Sequence, residues 1–177
     1  LGDYDWLVGS DGSDSFDGGN GRDMLSYVYA PAAVTVDLGQ GRGLAGQALN
    51  DTYISIERVT GSIYADLIYG ADGAEDFRGL GGYDWFVGSG GGKDRYDGGS
   101  GQDTVAYSLA LTGVVASLLL GRGSGGDAAR DLYTSIENLT GSSLNDVLTG
   151  DNGRNVLRGL YGADRLLGNG GVDRLTG

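Results

Sequence analysis

Cysteine and histidine are both absent from the 177 residues, and their absence closes several routes together. No disulfide and no thiolate metal site can form. The Ser-His-Asp and Cys-His arrangements of nucleophilic catalysis cannot be built, and no G-x-S-x-G elbow occurs. Basic side chains are scarce. Twelve Lys and Arg against 24 acids leave a net charge of −12, which excludes a nucleic-acid footprint. Proline occurs once and there is no Gly-x-y period, so the chain is not collagen-like. No apolar run approaches the ~18 residues of a membrane span, and no basic-apolar signal peptide opens the chain.

What is abundant is glycine, 37 residues, and aspartate, which supplies 21 of the 24 acids. The distribution is clearest at the end of the chain. Cut every nine residues from Gly141, it reads GSSLNDVLT, GDNGRNVLR, GLYGADRLL, GNGGVDRLT and a final Gly177. Position one is Gly throughout (Gly141, Gly150, Gly159, Gly168), and position six is an acid or its amide (Asp146, Asn155, Asp164, Asp173). Position eight is always Leu (Leu148, Leu157, Leu166, Leu175). Turn preference alone explains Asp in loops, but it does not demand a nine-residue lattice.

A glycine-rich half can turn tightly because Gly accepts positive φ without steric cost. The x-Leu-x that follows makes a very short strand whose middle residue faces one side and whose neighbours face the other. Two units, eighteen residues, form one coil with two strands and two turns. One coil cannot bury its Leu alone, so the core exists only as a stack. Stacking also aligns the position-six carboxylates about 4.8 Å apart along each edge. Like charges at that spacing repel unless a cation lies between them, and carboxylates with exposed turn carbonyls form a hard-oxygen environment that suits Ca²⁺.

With these residues in view, the unit resembles G-G-x-G-x-D-x-U-x, the calcium-binding nonapeptide of the repeats-in-toxin (RTX) family. The resemblance implies an all-β fold, a right-handed parallel β-roll (a β-solenoid) of stacked 18-residue coils. It implies Ca²⁺ held between turns by position-six side chains and glycine-turn carbonyls. It also implies export from a Gram-negative bacterium by a type I secretion system. The family includes toxins, lipases, proteases, surface-layer proteins and adhesins, so it specifies scaffold and ion better than activity.

The same unit recurs upstream. Residues 1–26 place Asp5, Asp14 and Asp23 at position six, with Leu7, Phe16 and Leu25 inward. Residues 61–106 place Asp66, Glu75, Asp84, Asp94 and Asp103 there, with Ile68, Phe77, Phe86, Tyr96 and Val105 inward. One unit in this block is a residue too long near Lys93, which should bulge a turn without breaking the stack. Together with the block 141–177, these twelve position-six residues are the candidate metal ligands. The pairs Asp5–Asp23, Asp66–Asp84 and Asp146–Asp164 stand eighteen apart and are favoured, while Asp84–Asp103 stands nineteen apart. Glu75 is a methylene too long and Asn155 lacks charge, so weak or empty sites are expected there. The rows with Tyr64 and Leu144 lack the position-four Gly.

Two spacers, 27–60 and 107–140, separate the blocks and are copies of each other. Their alternating apolar residues (Val34, Val36, Leu38; Val114, Ala116, Leu118) are strand-like. They are read as longer coils of one continuous roll over 1–177, with surface loops near 39–51 and 119–131. LGDYDWLVG at residue 1 matches LGGYDWFVG at residue 80, and LYGADRLLG follows at 160, so a period of about 80 residues overlies the short one. Leu1 falls inside a unit and Gly177 opens one, so the sequence reads as an excerpt of a longer repetitive protein.

The expected function is a calcium-binding structural segment of a secreted extracellular or cell-surface protein: an adhesin, a surface layer or a fibre. The alternative is a folding and secretion module of an exported enzyme or toxin whose catalytic domain lies elsewhere. The chain itself is not read as an enzyme. Tyr4, Trp6, Tyr83 and Trp85 should point outward, where they either shield the roll or contact glycan or another protomer. Self-association into a fibre or array is a further expectation.

Overall fold

Position eight decides the architecture. Leu25, Ile68, Phe77, Phe86, Val105, Leu148 and Leu157 are fully buried, each at the centre of a three-residue strand. The computed structural model describes residues 2–177, arranged as a parallel β-roll of short strands with no α-helix among them.

Two ten-stranded sheets enclose the core. The first runs Trp6–Val8, Met24–Ser26, Arg58–Thr60, Asp76–Arg78, Arg95–Asp97, Leu132–Thr134, Arg122–Gly125, Val115–Ser117, Val147–Thr149, Arg165–Leu167. The second runs Ser15–Asp17, Thr52–Ile54, Arg42–Ala45, Thr35–Asp37, Leu67–Tyr69, Trp85–Val87, Thr104–Ala106, Asn138–Thr140, Val156–Arg158, Arg174–Thr176. Successive repeat strands alternate between sheets, so each coil contributes one strand to each. Ile68 lies beside Phe86, and Leu148 beside Leu166, in parallel register eighteen residues apart. The extra residue in the Gly88–Lys93 turn leaves the stack intact, since Asp76 pairs with Arg95 and Trp85 with Thr104.

The spacers depart from the simple coil. Thr35–Asp37, Arg42–Ala45 and Thr52–Ile54 form an antiparallel meander within the second sheet, and Val115–Ser117, Arg122–Gly125 and Leu132–Thr134 do the same within the first. Segments 39–51 and 119–131, expected to be surface loops, therefore each hold a strand and a 3₁₀ turn, Gly46–Ala48 or Gly126–Ala128. The physical reason lies at Gly43 and Gly123, the inward positions of these middle strands. A Cβ there would collide with the carbonyl of Ala48 or Ala128. The strand is thus marked by a glycine where an apolar residue was the signal.

The meanders fall in opposite sheets for a countable reason. From Trp6–Val8 through Asp76–Arg78 there are nine strands in the two long sheets. Nine is odd, so the next long unit begins at Trp85–Val87 in the other sheet. Each long repeat thereby turns the roll's decoration to the opposite face.

Candidate metal centre

Every position-six residue sits immediately before its strand, so the two sheets carry two acidic columns, one on each edge. Asp5, Asp23, Glu75, Asp94, Asp146 and Asp164 precede strands of the first sheet. Asp14, Asp66, Asp84, Asp103, Asn155 and Asp173 precede strands of the second. Four further acids complete the columns and were missed by the sequence reading: Glu57 and Asp131 in the first, Asp51 and Glu137 in the second. Their signal is the acid-x-apolar half of the unit (Asp51 with Tyr53, Glu57 with Val59, Asp131 with Tyr133, Glu137 with Leu139), displaced from the nine-residue frame.

A repeated hydrogen bond builds each column. The backbone N–H of one rung donates to a carboxylate oxygen of the next: Asp5 to Asp23 Oδ1 at 2.7 Å, Asp66 to Asp84 at 2.8 Å, Asp84 to Asp103 at 2.8 Å. Glu75 donates likewise to Asp94 at 2.9 Å, Asp146 to Asp164 at 3.0 Å and Asn155 to Asp173 at 3.0 Å. The added acids extend the pattern, Asp23 donating to Glu57 Oε2 at 2.9 Å and Asp103 to Glu137 Oε2 at 2.8 Å. The ladder holds one oxygen of each carboxylate that accepts in it, as in Asp23, Asp84, Asp103 and Asp164, and leaves the other outside the ladder, whereas Asp5 and Glu75 only donate.

That second oxygen is the chemically informative one. Oδ2 of Asp5, Asp23, Asp84, Asp103 and Asp164, and Oε2 of Glu75, are buried with no hydrogen-bond partner. Buried polar atoms in folded proteins are nearly always satisfied, and buried anions are paired or bind metal. No ladder acid is ion-paired among the described residues, where the one pair within reach is Arg58–Asp76 at 3.7 Å.

The surroundings of these oxygens are oxygen-rich. A Cβ added at Gly79 would meet the free oxygen of Asp84 and, at 2.7 Å, the carbonyl of Gly98. One added at Gly98 would meet the free oxygen of Asp103 and the carbonyl of Ser135. Gly18 repeats this with Asp23 and Ser55. Ser55 and Ser135 hold left-handed φ values of 54° and 49°, an unfavourable conformation for a side-chain-bearing residue. Position-one glycine therefore leaves a gap lined by carboxylate and carbonyl oxygens, a donor set that fits Ca²⁺. No three acids converge among the described residues, so carbonyls must complete any such site.

Burial shifts the titration of these groups. Desolvation, with Asp66 and Asp103 close by, pushes Asp84 up to about 7, against the backbone N–H of Asp66. Burial likewise raises Asp66, Glu75, Asp94 and Asp103, and Asp131 to about 6. A carboxyl raised in the folded state binds protons that the unfolded chain has released, so the metal-free fold is favoured below about pH 4 and loses that support as pH rises towards 7. In excess chelator, far-UV circular dichroism should therefore show more β-structure at pH 5 than at pH 7.5. A signal that stays flat, or falls on acidification, would contradict the ladder's desolvation.

The outward aromatics do not form one patch. Tyr4, Trp6 and Tyr83 are well exposed, whereas Trp85 is half-buried with the Arg158 guanidinium carbon 6.0 Å from its ring centroid. Trp6 and Trp85 belong to different sheets. No helix is long and apolar enough to cross a membrane among the described residues.

Comparison with curated proteins finds no match. The sequence profile described as RTX calcium-binding nonapeptide repeat (4 copies) matches residues 2–26, 54–86, 89–105 and 140–175, more than half of the chain. These segments carry all twelve expected position-six residues. The chain belongs to the RTX calcium-binding nonapeptide repeat family, as a calcium-binding repeat region of a kind typical of secreted bacterial proteins.

Proposed function

We propose that this chain is a structural segment of an extracellular bacterial protein, exported by a type I system and folded by Ca²⁺ outside the cell. The observation that carries the reading is the set of six buried carboxylate oxygens without partners, arranged along the two edges of the roll. Ordering 37 glycines is costly, each giving up ~0.5–1 kcal/mol more than alanine in regular structure. Stacked anions oppose folding further. Little free Ca²⁺ in the cytosol leaves the chain unfolded and able to thread an exporter. When bound, Ca²⁺ supplies the positive charge between facing oxygens. The ladder amides orient the carboxylates, and the position-one glycines keep the gaps open.

Mass action gives the scale. A site filled at a hundred times its Kd stabilises the fold by about 2.7 kcal/mol, and whole domains are stable by only ~5–15 kcal/mol. A few sites therefore suffice to move the chain from unfolded to folded. Far-UV circular dichroism should read coil in chelator at neutral pH and β-structure on adding Ca²⁺, with Mg²⁺ unable to substitute. Identical spectra through that titration would remove the proposal.

An array role, as adhesin stalk, surface layer or fibre, is supported by the long period of about 80 residues and by its alternation between faces. Further long units in the flanking sequence are the expected finding. A catalytic domain beside this segment would favour a secretion module instead.

A further inference from the structure

The sixteen column positions are not equivalent, and the differences follow the spacers. Six have the unpartnered buried oxygen described above. Others are closed by protein donors. Tyr27 Oη donates to Asp51 Oδ2 at 2.6 Å and touches Tyr53 Oη at 2.8 Å, and Tyr107 repeats both contacts with Asp131 (2.6 Å) and Tyr133 (2.7 Å). Asp66 accepts from the amide of Ser62 at 2.5 Å, its hydroxyl at 2.8 Å and the amide of Val34 at 2.7 Å. Asp146 accepts the matching three from Ser142 and Val114, at 2.6, 2.8 and 2.8 Å. Asn155 closes its own rung: its Oδ1 accepts from the Asp151 amide at 2.8 Å and its Nδ2 donates to the Glu137 carbonyl at 2.9 Å.

N–H and O–H groups aimed at a carboxylate occupy the directions a cation needs. An amide nitrogen aimed at a carbonyl likewise takes the acceptor a cation would use. The tyrosine and serine closures occur in both long units with nearly the same distances, so they are built features of the long unit.

We infer that the chain binds Ca²⁺ at only some rungs. The paired sites are Asp5–Asp23 in one long unit and Asp84–Asp103 in the next, on opposite edges, while the rungs of Asp51, Asp66, Asp131, Asp146 and Asn155 take no ion. Adjacent rungs with two free oxygens occur at those two pairs. The same two pairs are where neighbouring loops also stack backbone to backbone, Gly2–Asp3 on Asn20–Gly21 and Gly81–Gly82 on Ser100–Gly101. Asp66–Asp84 and Asp146–Asp164, favoured from spacing, each join an open rung to a closed one. The closed rungs thus have their polar groups satisfied by protein donors, and the demand for an ion is confined to the open ones.

This assignment rests on the calcium reading, and the experiment separates the two. The two tryptophans, Trp6 and Trp85, directly follow Asp5 and Asp84, so Trp-sensitised Tb³⁺ emission reports these sites. Ca²⁺ bound per chain is counted by equilibrium dialysis for the wild type and for Asp103→Asn, Asp146→Asn and Asn155→Asp. Asp103→Asn should lower the count by at least one and cut Tb³⁺ emission by about half, leaving the Trp6 site. Asp146→Asn should change neither. Asn155→Asp should raise the count by one, because it removes the amide that closes the rung. An equal loss for Asp146→Asn and Asp103→Asn, or no gain for Asn155→Asp, overturns the assignment while leaving calcium binding in place. A wild type that binds no Ca²⁺ overturns the calcium reading itself. Should Asp146→Asn not fold by circular dichroism, the other two variants decide.

Discussion

Phe77→Ala should lower the stability of the calcium-loaded roll by about 3–5 kcal/mol, the range for removing a buried phenylalanine. Phe77 has no exposed surface and lies at the centre of the one stretch where rings meet across the interior. Its ring centroid is 6.3 Å from Phe86 and 5.6 Å from Tyr96, and Tyr96 continues to Tyr133 at 6.1 Å. Phe77 and Tyr96 belong to the first sheet and Phe86 to the second, so this cluster joins the two faces. Neighbours cannot collapse into the void, because each is fixed in register by three-residue strands on both sides. The counterpart eighty residues on is Leu157, which is fully buried but has no ring partners. Leu157→Ala should therefore cost less, within ~2–5 kcal/mol. Calorimetric melting in excess Ca²⁺ compares the two variants. At roughly 2–4 °C per kcal/mol for a chain of this size, Phe77→Ala should lower the melting temperature by on the order of 10 °C. A drop of only a few degrees would mean the interior is loosely packed and the stack is held by its edges.

How far the sequence discloses this depends on which physical rule governs each segment. In the repeat blocks one residue type does one job at one position. Gly turns, the acid caps the next rung and an apolar residue fills the core, so the nine-residue frame maps directly onto strands such as Val147–Thr149 and Val156–Arg158. In the spacers those jobs are shared differently. Thr52–Ile54 and Arg58–Thr60 are separated by three residues, whereas Leu67–Tyr69 and Asp76–Arg78 are separated by six. The short connection turns through Ser55 with φ at 54°, a residue carrying no obvious turn signature. Glu57 and Glu137 therefore fall out of frame, and their longer side chains span the difference to reach the amides of Asp23 and Asp103. The hydroxyl closures were hidden for another reason. Tyr27 and Asp51 are 24 residues apart, and only the meander brings them together. Lattice spacing identifies which acids stack, but not which of them lack a partner.

This division has a consequence for how order spreads along the chain. In a stacked array each coil touches only its neighbours, so stability is a sum of local terms and interfaces. Rungs closed by tyrosine and serine carry their own satisfied hydrogen bonds, and each spacer holds a buried Tyr-Asp-Tyr cluster at its centre. The rungs between them are left with unpaired anions until a cation arrives. The odd count of strands in each long unit places the pairs Asp5–Asp23 and Asp84–Asp103 on opposite edges, so ions taken up there would brace opposite sides of the roll.

Gly98→Ala tests that arrangement without removing any ligand atom. Gly98 does not need a left-handed backbone, so alanine is conformationally allowed, and the objection to it is spatial. The new methyl would strike the carbonyl of Ser135 and lie 2.6 Å from Cβ of Asp103, filling the gap into which the free oxygen of Asp103 points. Ser135 is held in place by its neighbours, the strands Leu132–Thr134 and Asn138–Thr140, and cannot easily move aside. Losing one site filled at a hundred times its Kd removes about 2.7 kcal/mol, so Gly98→Ala should destabilise the calcium-loaded roll by about 3 kcal/mol or more. The Ca²⁺ concentration at the folding midpoint should rise as well. Gly90→Ala is the matched control, because a Cβ there meets nothing closer than 3.8 Å. Its titration should overlay the wild type. Equal and small effects from both substitutions would mean the space beside Asp103 is idle, whereas a shift confined to Gly98→Ala ties the missing β-carbon to room for the ion.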